Sequence, residues 1–197
     1  MTKENLNQNP SDSWKEVVDE AQIERALTRI AYEILEKDDD AGSLAIVGIR
    51  TGGEFLGKRI NEILSKLSKV DVPFGVIDIT LYRDDLSHAT GQPTLKGTDL
   101  PFSIAGKRII LVDDVLYTGR TIRAALDAVI DFGRPSRVEL AVLADRGHRE
   151  FPIRPDYVGK NIPTHMDQFV RVKLKETVGV DGVYLITKGA DGKGEEG

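Results

Sequence analysis

The stretch Ile109–Thr121, IILVDDVLYTGRT, decides how the rest of this chain is read. Four apolar residues, Ile109 to Val112, run straight into two adjacent carboxylates, Asp113 and Asp114, and then into a turn of hydroxyls and glycine. A short, unbroken apolar run is the signature of a strand covered on both faces, as in a parallel sheet. A helical pattern starts just after the turn. A phosphate seated at that helix start would meet free backbone N–H groups and the positive end of the helix dipole; Gly119 lets the backbone approach closely, and Thr118 and Thr121 add hydroxyl donors. The carboxylates cannot hold the same phosphate, because like charges repel, but they can accept hydrogen bonds from vicinal hydroxyls of a sugar. Acid pair plus phosphate cradle reads as a site for ribose 5-phosphate.

A helix cap by Asp114 or Thr118 would explain one of these residues and leave a second carboxylate and the TGRT turn without a reason. The segment is not a nucleotide-triphosphate loop of the Walker type, since the GxxxxGK[ST] spacing is absent.

Working outward, the same order of strand, turn and helix recurs. Leu44–Ile49 (LAIVGI) reads as a buried strand, Arg50-Thr51-Gly52-Gly53 as a turn, and Phe55, Leu56, Ile60, Ile63, Leu64 and Leu67 as the apolar face of a helix. VIDI near Val76 is a strand, and a helix from about Thr118 to Phe132 is closed by Gly133 and Pro135. ELAVLA (Glu139–Ala144), QFVRVKL and VYLIT are further strands, and Ile23, Leu27, Ile30 and Ile34 mark an amphipathic helix over Ala21–Lys37. Alternation of this kind predicts an α/β fold: a central, mainly parallel sheet flanked by helices, with ligands at the carboxyl edge of the strands. Residues 1–19 and 188–197 carry no sustained apolar period and are read as disordered ends around one domain over 20–187.

Composition removes several function classes. With no cysteine in 197 residues, disulfides, thiolate metal sites and cysteine nucleophiles are out, which suits a reducing cytoplasm. No apolar run approaches the ~18 residues of a membrane span, and the polar N-terminus has no leader-like apolar core. A net charge of −5 means that any nucleic-acid partner must be met by a local basic patch. The three histidines, at 88, 148 and 165, have no metal-ligand spacing. Between Tyr82 and Ser103, RDDLSHATGQPTLKGTDLPF has no period; a connection of that length reads as a flexible lid, with Arg83 and Lys96 placed to meet anions.

Ile109–Thr121 resembles the phosphoribosyl-diphosphate (PRPP) binding signature of type I phosphoribosyltransferases. ITLYRDDL (Ile79–Leu86), VDDVLYTGRT (Val112–Thr121), GRPSRVELAVLADRGHRE (Gly133–Glu150) and PIRPDYVGKNIPT (Pro152–Thr164) are similar to the PyrR family within that group, and the similarity spans roughly residues 20 to 187. Orotate and hypoxanthine enzymes of the same fold usually place Glu-Asp where this chain has Asp113-Asp114. The resemblance implies a type I phosphoribosyltransferase fold with a small hood built from the Asp145–Thr164 region and the chain ends. It implies uracil phosphoribosyltransferase activity, which makes UMP and diphosphate from uracil and PRPP with Mg²⁺ held mainly by the substrate. It implies a cytoplasmic homodimer or higher homo-oligomer whose second role is UMP-dependent binding of pyrimidine-operon leader mRNA, acting by transcriptional attenuation. A salvage enzyme without an RNA role, and a nucleotide-sensing regulator without catalysis, remain as alternatives.

Residue by residue, the resemblance implies that Asp113, Asp114 and Arg83 carry catalysis. PRPP or UMP falls to Arg50, Thr51, Gly52 and the run Asp113, Asp114, Val115, Leu116, Tyr117, Thr118, Gly119, Arg120 and Thr121. Arg83, Asp84, Asp85 and Lys96 form the lid. RNA falls to Arg25, Thr28, Arg29, Arg146, Arg149 and Lys160. The chain departs from many relatives in two places: Thr51-Gly52-Gly53 stands where they have Thr-Arg-Gly, and Tyr32 follows Ala26–Ala31 where they have His.

Overall fold

The computed structural model describes residues 13–37, 42–80, 82 and 97–187. The first element is a strand, β1 (Ser13–Asp19), followed by α1 (Glu20–Glu36), β2 (Leu44–Ile49), α2 (Gly52–Ser68) and β3 (Phe74–Ile77). After the long connection come β4 (Arg108–Leu116), α3 (Arg120–Asp131), β5 (Arg137–Asp145), β6 (Tyr157–Asn161), β7 (Gln168–Lys173), the single turn α4 (Lys175–Val178) and β8 (Gly182–Thr187). Five strands form one sheet in the order β3-β2-β4-β5-β6, every pair parallel.

The apolar runs of β2, β4 and β5 feed both faces of this sheet because side chains alternate with period two. Leu44, Ile46, Ile110, Val112, Ala141 and Leu143 face one core with α1 and α2. Ala45, Val47, Ile49, Ile109, Leu111, Leu140 and Val142 face the other with α3. α1 begins with a reciprocal cap in which Asp19 accepts from the Gln22 backbone N–H and the Gln22 side chain accepts from Asp19 N–H. Its buried stripe of Ile23, Leu27, Ile30 and Ile34 is the one the sequence pattern predicts. No helix among the described residues is long and apolar enough to cross a membrane.

A second, antiparallel sheet of order β1-β8-β7 forms the hood. Two sequence expectations change here. Ser13–Asp19, read as part of a disordered end, is the strand β1, hydrogen-bonded to β8; Val18 is buried there, and a register shift between Glu16 and Val18 breaks the period that would have announced a strand. The hood does use the N-terminal and C-terminal segments, but the Asp145–Thr164 region contributes β6 to the main sheet, because Tyr157 and Ile162 are buried in the core beside α1. The third helix starts at Arg120 rather than Thr118: Gly119, at φ +94°, turns the chain first.

Candidate active site

From β2 the chain runs outward to β3 and then returns across the sheet to β4, so strand order reverses between β2 and β4. A crevice opens at the carboxyl ends of strands at such a switch point. Here it is a cavity of about 480 Å³ lined by Arg50, Thr51, Gly52, Asp78, Ile79, Thr80, Asp113, Asp114, Val115 and Thr121. A larger groove of about 1080 Å³ lies elsewhere, between α1, α2 and β3, and holds none of these strand-end residues.

Two helix starts face the crevice, α2 just after Thr51 and α3 just after Gly119; neither N-cap residue caps its helix, and of the first α3 N–H groups that of Arg120 donates to Thr118 Oγ1 at 3.3 Å. The remaining N–H groups of both starts are available to anions. The glycines before them are there for close approach. A Cβ on Gly53 would lie 2.1 Å from the Val112 carbonyl oxygen, and one on Gly52 would lie 2.4 Å from Asp114 Oδ2. The α2 start is thus pressed against the end of β4. The peptide between Arg50 and Thr51 is cis.

Neither carboxylate of the pair caps a helix; both belong to β4. Asp113 is buried and accepts from the Asp114 backbone N–H (3.0 Å), and Asp114 accepts from Val115 N–H (2.7 Å). Burial pushes the Asp113 carboxyl well above the usual carboxylate range, and the neighbouring Asp114 charge pushes it further. Burial raises Asp114 too, against the bond from Val115. Asp78, at the end of β3, is held below the usual range by the Thr80 hydroxyl (2.6 Å) and backbone N–H (3.0 Å). Asp78 and Thr80 are site residues that sequence reasoning missed. The signal was present: Asp78 follows a short apolar strand just as Asp113 follows IILV.

The loop 118–121 is braced from one side by the segment after β5. Thr118 O accepts from Glu150 N–H (2.9 Å) and Phe151 N–H (3.0 Å), and Arg120 pairs with Glu150 at 2.6 Å. Arg149 clamps the same loop: Nη1 donates to Tyr117 O (2.8 Å), Nε to Ile153 O (3.0 Å) and Nη2 to the Asp145 carboxylate (2.5 Å). His148, at φ +56°, meets Thr164 O at 2.7 Å. Arg83, Asp84, Asp85, Lys96 and His88 lie outside the described residues. What flanks them is anchored at the site: Val76 and Asp99 exchange backbone hydrogen bonds, Asp78 N–H donates to Thr98 Oγ1, and Tyr82 OH donates to Asp131.

The residues expected to meet RNA separate into two places. Arg25, Thr28 and Arg29 share an open surface of α1 with Tyr32. Arg29 also donates to the Val158 and Gly159 carbonyls of β6 (2.7 and 2.9 Å), and Lys160, next along that strand, is exposed. Arg149 is tied up in the clamp, and Arg146 is only 5% exposed. Both were expected on an RNA surface, and the structure turns both inward, because they follow β5 directly and fold back over the end of β4.

The phosphoribosyl transferase domain family matches residues 13–177. A protein of Elusimicrobium minutum named "Bifunctional protein PyrR" is 56% identical over 177 residues, covering 90% of this chain and 99% of its own. One of the same name from Deinococcus radiodurans is 60% identical over 164 residues, covering 83% and 90%. Among solved structures, the hypoxanthine phosphoribosyltransferase of Trypanosoma cruzi superposes with a TM-score of 0.66 at 20% identity, covering 89% of this chain and 97% of its own. That of Staphylococcus aureus gives 0.63 at 21% identity, covering 90% and 93%.

Proposed function

The chain belongs to the PyrR family of phosphoribosyl transferase domain proteins, and from that membership and the geometry of the crevice we propose that it is a uracil phosphoribosyltransferase that also regulates pyrimidine genes through leader RNA. The observation that carries the enzymatic half is the pair of buried Asp113 and half-buried Asp114 set in one cavity with Thr121 at the start of α3.

In this reading the N–H groups and hydroxyls of 118–121 hold the 5-phosphate of PRPP, and the acid pair accepts from the ribose hydroxyls. Arg50, Thr51 and the α2 start face the diphosphate. Uracil N1 attacks C1′ as the bond to diphosphate breaks, the N1 proton passes to the departing diphosphate, and UMP and diphosphate leave. Diphosphate is a good leaving group, so positioning and exclusion of water do most of the work, and the segment carrying Arg83, Asp84, Asp85 and Lys96 is the natural cover. Asp78, Asp113 and Asp114 offer the hard oxygen donors that Mg²⁺ prefers. Substrate and water would supply the remaining ligands. When bound, the ion neutralises charge on the departing diphosphate.

Assay of turnover with uracil, cytosine, hypoxanthine and orotate tests the enzyme, with uracil the expected substrate; transfer to another base in preference to uracil refutes the assignment. The regulatory half predicts that UMP and leader RNA change each other's affinity by the same factor, typically about 5- to 150-fold, because coupling is reciprocal. Arg25→Ala and Lys160→Ala should weaken RNA binding and flatten its salt dependence while sparing turnover. They are cleaner probes than Arg29, which also holds β6. RNA affinity indifferent to UMP contradicts this half.

One observation favours the sensing reading, in which nucleotide binding outlives catalysis. Gly52 lies so close to Asp114 that the arginine many relatives carry there has no room without displacing the carboxylate. Under that reading UMP binds and modulates RNA affinity while uracil and PRPP give no product.

A further inference from the structure

The hood sheet has two unlike faces. Side chains alternate across a strand, so Val172 and Val183 pack into the core while Arg171, Lys173 and Tyr184 turn to the opposite side. Trp14 of β1 joins them there: its ring lies 6.0 Å from that of Tyr184 at an interplanar angle of 58°. Lys173 Nζ sits 4.8 Å from the Trp14 ring and 4.9 Å from the Tyr184 ring, and the Arg171 guanidinium 6.0 Å from Trp14. Gly182 keeps this platform low, since a Cβ there would lie 2.8 Å from the Tyr184 ring.

The cations of this face are not answered as others on the hood are. Arg59 ties Glu176 and Asp181 to α2, and Lys175 meets Glu20, but Arg171 and Lys173 form no ion pair among the described residues. The carboxylate in their row, Glu16, instead accepts from Tyr184 OH at 3.4 Å. In a chain of net charge −5, two unpaired cations gathered over aromatic rings form a local basic patch of the kind a polyanion needs. The rings narrow the choice of polyanion. Half-buried Trp14 and Tyr184 offer flat π surfaces next to exposed Arg171, which suits a ligand that alternates planar groups with negative charges. Single-stranded nucleic acid has that alternation, whereas a duplex keeps its bases stacked inside.

We propose that the outer face of the hood is a docking surface for single-stranded RNA, with bases stacked on Trp14 and Tyr184 and phosphates held by Arg171 and Lys173. This rests on the RNA half of the function proposed above and adds to it a second contact surface, on different elements from Arg25, Arg29 and Lys160.

Trp14 is the only tryptophan of the chain, so its fluorescence reports directly on stacking at this face. The test titrates wild type, held saturated with UMP, with an unstructured RNA of about 12 nucleotides, within the range of sites that stacking platforms occupy. The single strand quenches Trp14 emission to saturation, and the same strand annealed to its complement does not. In Arg171→Gln/Lys173→Gln, followed by the anisotropy of labelled RNA, binding weakens and the slope of log affinity against log salt falls by about 1.4, two phosphate contacts at about 0.7 each. Tyr184→Leu binds about 5- to 150-fold more weakly, as for one lost base stack. UMP affinity stays at the wild-type value in the Arg171→Gln/Lys173→Gln variant. RNA that binds without changing Trp14 emission, and binds that variant as it binds wild type, overturns the proposal and leaves the α1 surface as the RNA contact. Inorganic polyphosphate binding as tightly as the RNA also overturns it, because charge alone would then account for the patch. If neither readout detects RNA on the wild type, the regulatory half of the function fails, and this surface with it.

Discussion

The two ends of β4 bury charge in opposite ways. At the amino end, Arg108 is 2% exposed and fully answered: Nη2 donates to Glu139 (2.8 Å) and to Tyr157 OH (2.8 Å), and Nη1 to the Ile34 carbonyl at the end of α1 (3.1 Å). Lys37 and Arg137 approach the same Glu139 at 3.1 and 3.0 Å. At the carboxyl end, two carboxylates sit side by side and accept from the backbone N–H groups of Asp114 and Val115. Burial opposes both charged ends, yet the outcomes differ. Hydrogen bonds from Arg108, Tyr157 and Lys37 overcome burial and hold Glu139 at about 2, whereas Asp113 is driven upward. Charge buried with its partners is architecture. Charge buried without them is a place prepared for a ligand, and the contrast predicts opposite responses to mutation.

The largest effect belongs to the amino end. Glu139→Ala strands Arg108 in the core and should cost about 3–5 kcal/mol of stability, read by denaturant unfolding. A cost below 1 kcal/mol would show that Arg108 finds water there. At the carboxyl end, Asp114→Asn should lower turnover about 10- to 150-fold, equivalent to roughly 1.5–3 kcal/mol for one charged hydrogen bond, with no loss of stability. Unchanged turnover, or a protein that unfolds more easily, would place Asp114 with the architecture instead.

The pH dependence of stability separates the ends without ligand. Glu139, lowered to about 2 in the folded protein, contributes stability above the ordinary carboxylate range that is lost as pH falls toward 2. Asp113 has the opposite sign. Raised in the folded state, it holds its proton more tightly folded than unfolded, so it costs stability as pH rises from the ordinary carboxylate range through its elevated folded value. Thermal melts across pH should lose the acid arm in Glu139→Gln and the upper arm in Asp113→Asn. If the upper arm survives in Asp113→Asn, the strain lies elsewhere. The smallest change is Glu150→Ala, which breaks an ion pair with Arg120 whose side chains are 50% and 52% exposed. It should shift stability by less than about 1 kcal/mol.

Much of this was legible in the sequence for a physical reason. A strand buried on both faces must be apolar throughout, so IILV and LAIVGI announce the parallel sheet, and carboxylates placed directly after such a strand stand at its ligand edge. The acid pair, Thr121 and the turn at 50–52 were singled out in the sequence, and they line one cavity. What was missed depends on contacts distant in sequence. β1 is a strand only because β8 lies beside it, and its Glu16–Val18 bulge hides the alternation. Arg146 and Arg149 look like surface charge in a line of text, since nothing local tells that the chain after β5 folds back over Tyr117.

The most direct measurement of the contrast between the ends is calorimetric titration of PRPP with Mg²⁺ into wild type, Asp113→Asn/Asp114→Asn and Glu139→Gln. The account predicts that Glu139→Gln, though less stable, binds PRPP as wild type does, while the doubly substituted acid pair keeps its fold and binds at least about 10-fold more weakly. Wild-type PRPP affinity in the folded double variant would contradict it.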